Sequence, residues 1–248
     1  MSWMSLVALG AAGLASMKAA MERGDVDEAS RQGVLAGPAV VEAALASPDR
    51  ATRLAGIAAA TAVDDRVELL DVLGYVAAGP DPRSAIPAAR AARTIARDFA
   101  RTELPDDLAP ADVAAWRDRW TALALARDRW VEVRVLSVEI ALALDPANLP
   151  FAAILDEPDP AVRRAAVTSV PMPVPAALRP ALAATVTNDA DPQVALGAAQ
   201  ALCADLVADP ARPVLDALGP QGLARLRALA AMPGLARAMK RDLARCLK

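Results

Sequence analysis

The chain has 248 residues and a formal net charge of −3, and 55% of its residues are hydrophobic although only 3% are aromatic. This slightly acidic balance provides no general attraction to nucleic acid or to an anionic membrane. Histidine is absent, which excludes His-based catalytic triads, the H-E-x-x-H zinc helix and most transition-metal sites. We therefore expect neither a metal nor a cofactor.

The apolar residues are mostly Ala, Leu and Val, and the 20 prolines cluster between runs of good helix formers. Alanine lets helix backbones approach closely, which favours layers of helix packed on helix. No stretch alternates apolar and polar residues long enough to predict a strand. The composition therefore predicts an all-α fold.

Residues 1–17 are apolar and uncharged, and Lys18 is the first charged residue. The apolar run is shorter than the ~20 residues that a membrane span needs, and no basic residue precedes it as in a secretory signal. We expect a packed terminal helix in a cytoplasmic protein, with an export signal or a membrane anchor as the alternative. The predicted apolar face of this helix consists of Trp3, Leu6, Val7, Leu14, Met17 and Met21.

A second short helix is predicted over 25–36, and helices then alternate with turns that contain proline from residue 38 to residue 207. Two further helices are predicted over 221–232 and 235–247. The predicted pairs are 38–46 with 50–63, 65–78 with 82–101, 112–127 with 130–144, 149–155 with 161–170, and 175–187 with 192–207.

The second helices of these pairs can be aligned so that Arg53, Ala85, Arg134, Arg163 and Ala195 share one position, with gaps of 32, 49, 29 and 32 residues. The long gap contains an acidic insertion at about 98–111. Recurrence at such a period predicts units that bury their apolar faces only against their neighbours. We expect N-terminal capping helices at 1–37, a repeat array of about five to six helix pairs at 38–207, and C-terminal capping helices at 208–248.

The clearest unit carries a D-P-x-V-R-x-x-A pattern, formed by Asp159, Pro160, Val162, Arg163 and Ala166. This pattern resembles HEAT repeats of the short, PBS-lyase-like kind. The resemblance implies a right-handed α-α superhelix, a structural ladder formed by the matching Asp and Arg positions, and a concave face lined by the second helices. It implies little about function, since such repeats occur in adaptors, chaperones, lyases and a few DNA-repair enzymes.

The other units match this pattern less completely. The unit that begins at Asp191 and Pro192 lacks the arginine, and the unit at Asp81 and Pro82 fits least well because Pro87 lies in the first part of its second helix. A loop such as the acidic insertion separates repeats without preventing them from stacking.

Arg90, Arg93, Arg97 and Arg101 lie within about 80° of one another around one helix. On the concave face that the resemblance implies, Arg53 and Arg134 would lie close to this row. The guanidinium fork suits a carboxylate or a phosphate, so we predict a non-enzymatic scaffold or adaptor that binds an acidic protein segment as part of a larger assembly. The alternative is a solvated face that the acidic insertion balances.

Trp116 and Trp120 are four residues apart and share one helix face. They are predicted either as exposed partner-binding anchors or as side chains that wedge an irregular junction. The resemblance also allows a chaperone or lyase-like factor that acts on a cofactor-bearing protein, and a DNA glycosylase that would use Trp116, Asp118 and Trp120. An acidic chain with few aromatic residues disfavours nucleic acid as a partner.

The last predicted helix places basic residues opposite apolar ones. A polar cap at the end of the array is expected here, with contact to an anionic membrane or a partner as the alternative. Cys203 and Cys246 are far apart in sequence and form no C-x-x-C motif. They are predicted as small buried residues of a reducing compartment, with a bridging or redox role as the alternative. The basic residues are Arg237, Lys240, Arg241, Arg245 and Lys248.

Overall fold

A computed structural model describes residues 3–64, 66–101, 108–208 and 214–247. Within these ranges the regular structure is entirely helical, which confirms the predicted all-α class. The chain divides into two compact units, Met1–Ile140 and Ala141–Lys248. The boundaries of the helices follow the predicted ones to within four residues, except that the helix Val214–Ala230 begins seven residues before its predicted start at 221.

The described part of the first unit contains eight helices, of which the first, with 20 residues, is the longest. A 3-10 turn, Arg66–Glu68, precedes the fifth helix. The helices are α1 (Trp3–Glu22), α2 (Val26–Ala36), α3 (Pro38–Leu45), α4 (Arg50–Ala59), α5 (Leu69–Ala77), α6 (Pro82–Phe99), α7 (Pro110–Leu125) and α8 (Val131–Leu144), the last of which ends in the second unit.

The second unit contains six helices and two 3-10 turns, Pro146–Asn148 and Ala176–Leu178, in its described part. Helix α13 is kinked at Gly219, whose φ of +59° lies in the left-handed region that glycine favours. The helices are α9 (Phe151–Leu155), α10 (Pro160–Thr168), α11 (Arg179–Asn188), α12 (Pro192–Ala208), α13 (Val214–Ala230) and α14 (Arg237–Cys246).

Aspartate caps explain why several of these helices begin where they do. The carboxylates of Asp25, Asp49, Asp81 and Asp159 each accept a hydrogen bond from a backbone N–H in the first turn of the following helix. Such caps satisfy donors that the helix leaves unpaired, and a proline in the first turn sacrifices no hydrogen bond. The Asp-Pro signals in the sequence are therefore true helix starts.

Helices of the first unit lie in two layers. Helix α5 packs between α3 and α7, whereas α4 packs against α6, and the two layers meet through the α3–α4 and α5–α6 pairs. We call α3, α5 and α7 the first-helix row. In the second unit α11 packs between α9 and α13, and α10 packs against α12. Each unit therefore contains helix pairs that repeat the same packing relation.

The N-terminal helices cross very closely over two glycines. A Cβ atom on Gly33 of α2 would lie 2.3 Å from the Cβ of Ala59, and one on Gly56 of α4 would lie 2.8 Å from the backbone nitrogen of Leu45. Neither distance is compatible with a real side chain. The absence of a Cβ at these two positions therefore sets the approach of α2, α3 and α4.

Helix α1 packs against α2 and α4, and Met17 and Ala20 on its inner face are fully buried. This agrees with the prediction of a packed terminal helix, although the side chains of Trp3, Leu6 and Val7 lie outside the described part of the structure. In the described ranges, no helix combines the length and the hydrophobicity that a membrane crossing requires.

The two cysteines are joined in a disulfide that connects α12 to α14, and both are buried. The prediction of burial is correct, but the prediction that they are unpaired is wrong, because packing of α14 against α12 brings their Cα atoms to 5.2 Å. This distance lies within the ordinary range for a bridge. Sequence separation alone carries no information about such a tertiary contact.

Candidate functional site: an arginine face on helix α6

Helix α6 carries the predicted arginine row because its opposite side is built from small apolar residues. The buried positions follow the helical period, so the arginines at intervening positions are directed away from the layer interface. Pro87 removes one intrahelical donor but does not interrupt the helix. The buried residues of α6 are Ser84, Ala85, Ala88, Ala89, Ala91, Ala92, Ile95, Ala96 and Phe99.

Two glutamates of α8 pair with three of these arginines. The Nε atom of Arg90 donates to Glu132 at 3.1 Å, and Glu139 accepts from Arg93 at 3.4 Å and from Arg97 at 2.7 Å. Helix α8 therefore provides part of the neutralisation of this face. Residues 102–107 of that insertion lie outside the described residues.

Among the described residues of this face, four arginines meet two glutamates, which leaves an excess of positive charge. Arg90 and Arg97 remain 61% and 51% exposed, and Arg101 is exposed without an ion-pair partner in the described ranges. The Nε atom of Arg93 is buried and lacks an acceptor among the described residues. Together these groups offer unused donor capacity to a carboxylate or phosphate.

Arg53 was predicted both as part of a structural ladder and as a residue of the concave binding face, and its hydrogen bonds lie within the fold. Its Nη1 atom donates to the carbonyl oxygens of Ser47, at 2.8 Å, and of Pro48, at 3.2 Å. These carbonyls follow the end of α3, so the guanidinium caps the preceding helix, and its Nη2 atom lies 3.5 Å from the Oγ of Ser84. Most of its donor capacity is used within the fold.

Arg134 does not belong to the exposed face. Its side chain is only 4% exposed, and its Nε atom donates to the carbonyl oxygen of Ala124 at 3.0 Å, close to the end of α7. The helical repeat placed Arg134 at the same position as Arg53, but here the guanidinium is enclosed by its own unit. We therefore correct its assignment from partner binding to helix capping.

Trp116 and Trp120 are buried on α7, with 7% and 0% of their surface exposed. A buried indole presents no face to a partner or to a nucleic-acid base, so the structure agrees with the wedge alternative and not with exposed anchors. Asp118 lies on the exposed side of the same helix and pairs with Arg117. The two indoles are therefore buried while the carboxylate of Asp118 is exposed, so these three side chains do not share one site as a glycosylase-like activity would require.

The clearest motif arginine, Arg163, forms a bidentate ion pair with Asp189 of the next helix pair, at 2.9 Å and 3.0 Å. Its Nη1 atom also donates to the carbonyl oxygens of Glu157 and Pro158. The hydrogen-bonded carboxylate of Asp189 raises the pKa of Arg163 above its ordinary value. This arrangement joins one pair of helices to the next and is structural.

The helix-capping carboxylates are electrostatically well satisfied. The hydroxyl and the backbone N–H of Thr52 lower the pKa of Asp49, and the hydroxyl of Ser84 lowers the pKa of Asp81. Both groups therefore stay ionised in mildly acidic solution. They serve as caps and carry no sign of acid–base chemistry.

Two residues of the arginine face were missed from sequence, namely Glu132 and Glu139. They are seven positions apart and so lie on one side of α8, and that spacing was the available signal. Their partners are 42 to 46 residues away along the chain, so the pairing required the packing of α8 beside α6.

A comparison with models of known protein families and with characterised proteins finds no match to this chain. In the described ranges, no group of three Asp, Glu, Cys or His side chains is arranged to hold a metal ion.

Proposed function

We propose that this protein is a non-enzymatic scaffold whose α6 arginine face binds an acidic segment of a protein partner. The observation that carries the proposal is the excess of guanidinium groups over carboxylates on that face. Arg97 and Arg101, at its C-terminal end, have the most capacity left for a new partner. Arg53, Arg134, Trp116 and Trp120 are not part of the proposed site.

We further propose that the helix pairs form a right-handed superhelix of HEAT type. Two observations support this interpretation: helices of the same order pack side by side within each unit, and Arg53 and Arg163 make the same contacts to the turn before their helices. In such a scaffold α4, α6 and α8 would line one continuous surface.

The mode of binding follows from the ion pairs already present. A carboxylate of the partner would share Arg97 with Glu139 and engage Arg101 alone, so the scaffold would need little reorganisation. Preformed sites of this kind lose little conformational entropy on binding. Because the charges are largely exposed, we expect association to weaken strongly as salt increases.

The disulfide bears on the cellular location. Paired cysteines are typical of oxidising compartments, so the Cys203–Cys246 bridge favours such a compartment over the cytoplasm that the sequence predicted. The proposed binding mode is compatible with either location, because neither cysteine belongs to the arginine face.

The proposal can be tested with a fluorescein-labelled twelve-residue peptide rich in glutamate. The double substitution Arg97→Gln and Arg101→Gln is expected to weaken binding about tenfold, since two charge-assisted contacts are lost. Fluorescence polarisation at low and high salt provides the measurement.

The matched control is Arg237→Gln with Arg241→Gln on α14, which makes the same change in net charge away from the face. Equal weakening by both pairs of substitutions would show only a nonspecific charge effect and would contradict the proposal. The same variants can then be compared by affinity purification from the native host with mass spectrometry. A protein that copurifies with the unchanged chain and with the α14 variant, but not with the Arg97→Gln and Arg101→Gln variant, would be the partner.

A further inference from the structure

A second surface of the first unit is organised around Tyr75, the only tyrosine in the chain. Tyr75 lies on α5, the central helix of the first-helix row, and is 61% exposed. It borders two apolar grooves. The first groove, of about 550 Å³, is lined by side chains that include Leu45, Val72, Val76 and Pro80.

The second groove borders the other side of α5, toward α7. Its volume is about 540 Å³, and its apolar lining includes Ala78, Ala115, Ala122 and Leu123. Both grooves include Tyr75 in their walls. The exposed ring thus separates two apolar depressions in a chain that has very few aromatic residues.

The orientation of the ring is fixed by Arg119 of α7. The guanidinium carbon of Arg119 lies 3.8 Å from the centre of the Tyr75 ring, and its Nη2 atom donates to the phenolic oxygen at 2.9 Å. Its Nε atom donates to Asp71 at 2.8 Å. A cation held over an aromatic face stabilises that geometry, so Tyr75 is positioned before any partner arrives.

Gly74 allows this arrangement. A Cβ atom at position 74 would lie 2.5 Å from the Cδ of Arg119, and a side chain would therefore displace the arginine from its path across α5. The missing side chain at position 74 thus leaves room for Arg119 to reach the ring of Tyr75.

The hydroxyl group of Tyr75 can donate a hydrogen bond to an acceptor on a partner. Since the phenolic oxygen of Tyr75 accepts from Arg119, its own hydrogen is free to be donated to an incoming carbonyl group. The charges next to the ring are paired, Arg119 with Asp71 and Arg129 with Asp128. An uncharged segment leaves these pairs intact, whereas a charged one would have to compete with them.

A proline-rich segment has matching chemistry. Proline provides a carbonyl acceptor and no N–H donor, and a polyproline II helix leaves its carbonyl groups free of internal hydrogen bonds. It also brings every third side chain onto one edge, at intervals of about 9.3 Å. Neighbouring packed helices are about 8–10 Å apart, and the grooves between them have a similar spacing. Side chains three residues apart in the segment can therefore enter the two grooves on either side of α5.

We infer that the first-helix row binds an uncharged, proline-rich partner segment in the polyproline II conformation. Apolar side chains at every third position would enter the grooves on either side of Tyr75, and the phenol would donate a hydrogen bond to the segment's backbone. This site contains none of the arginines of the arginine face, although Ser84 of α6 lines its first groove, and it does not depend on the function proposed for that face.

The experiment uses two fluorescein-labelled peptides of identical composition. One repeats Pro-Pro-Leu four times, and the other contains the same residues with the leucines no longer at every third position. Fluorescence polarisation with the full chain, to about 0.5 mM protein, is expected to show saturable binding of the regular peptide and at least fivefold weaker binding of the scrambled one. Equal binding of both peptides, or no binding, would overturn the inference.

Three substitutions locate the site. Tyr75→Ala is expected to weaken binding of the regular peptide more than tenfold, and Tyr75→Phe about threefold, because the latter removes only the hydrogen-bond donor. Gly74→Ala leaves Tyr75 in place but displaces Arg119, and we expect an intermediate loss.

Leu35→Ala is the matched control, since Leu35 is an exposed apolar residue of the same unit, at 80% exposure, that lines neither groove. Its binding should equal that of the unchanged protein. Circular dichroism melting curves show whether each variant is folded. A folded Tyr75→Ala variant that binds the regular peptide as well as Leu35→Ala does would contradict the assignment.

Discussion

Arg53 in the first unit and Arg163 in the second mark corresponding junctions, by which we mean the turn between the two helices of a pair and the start of the second helix. The side chains around these two junctions differ in polarity. Arg53 and Arg163 are 110 residues apart, and each donates to the carbonyl oxygens of the residues six and five positions before it. Asp49 and Asp159 cap the corresponding helices. The two junctions therefore share the arginine hydrogen bonds and an aspartate cap, although Asp49 accepts from the N–H of Thr52 and Asp159 from the N–H of Ala161.

The side chains around these shared hydrogen bonds differ. In the second unit the groove contains the buried Glu157 and the half-buried Asp189, whose side chain is 7% exposed and pairs with Arg163. At the equivalent positions the first unit has Ser47 and Gly79, and its groove is mostly apolar. Tyr75 occupies the position that corresponds to Thr185 in the second unit.

This difference indicates how one arrangement of an arginine and a capping aspartate can border either a polar or an apolar groove. Where a carboxylate is available, the junction is joined by an ion pair and its groove is polar. Where glycine replaces the carboxylate, the arginine is left to cap a helix, and the groove becomes an apolar surface beside an exposed aromatic ring. The ion pair and the exposed apolar groove are therefore found at different junctions of one chain.

The largest expected difference between the units comes from the disulfide, since the second unit contains it and the first has no cysteine. The bridge spans 43 residues, and closure of a loop of that length is worth about 4 kcal/mol in the chain-entropy model. Replacing both cysteines with serine should lower the free energy of unfolding of the second unit by that order. Hydrogen exchange measured by mass spectrometry should accelerate in α12 and α14 while α4 and α5 retain their protection. Equal acceleration in both units would show that they unfold together.

The next effect compares the two matched arginines. Arg163→Ala leaves the side chain of Asp189, which is 7% exposed, without its partner and should cost about 3 kcal/mol. Arg53→Ala removes only hydrogen bonds to carbonyl groups and should cost about 1 kcal/mol. Urea unfolding followed by circular dichroism measures both values. Similar losses for the two variants would mean that the ion pair adds no stability to its junction.

The smallest expected effect concerns Gly79, which stands where the second unit has the carboxylate of Asp189. Gly79→Asp places a carboxylate where the second unit has Asp189, and Gly79→Ala introduces the same Cβ, which would lie 3.0 Å from the carbonyl oxygen of Val76. The aspartate variant should be more stable than the alanine variant by about 0.5–1 kcal/mol at low salt. The difference should shrink in concentrated salt. A difference that is independent of salt would exclude a restored pair with Arg53.

Much of the fold could be predicted from the sequence because its signals are local. Asp-Pro pairs marked the starts of α6, α10 and α12, and the apolar period predicted the presence of a helix in each segment but not the full extent of α4, α5 and α13. Pro87 was an exception, since a single proline inside α6 did not end a helix whose remaining residues are strong helix formers with a buried face.

The candidate site could be predicted only in part, because its properties depend on contacts between distant residues. The period placed Arg90, Arg93 and Arg97 on one face correctly, but their pairing with Glu132 and Glu139 depends on how α8 packs. The role of Tyr75 likewise depends on Arg119, a residue 44 positions later.

The two glycines at which α2, α3 and α4 cross provide a practical marker for finding distant relatives. Surface positions of an alanine-rich chain can drift until overall similarity disappears, whereas a larger residue at position 33 or 56 would force the three helices into a different crossing. Conversely, a chain that keeps both glycines, at a separation of 23 positions, meets one requirement of this N-terminal geometry even when little else can be aligned.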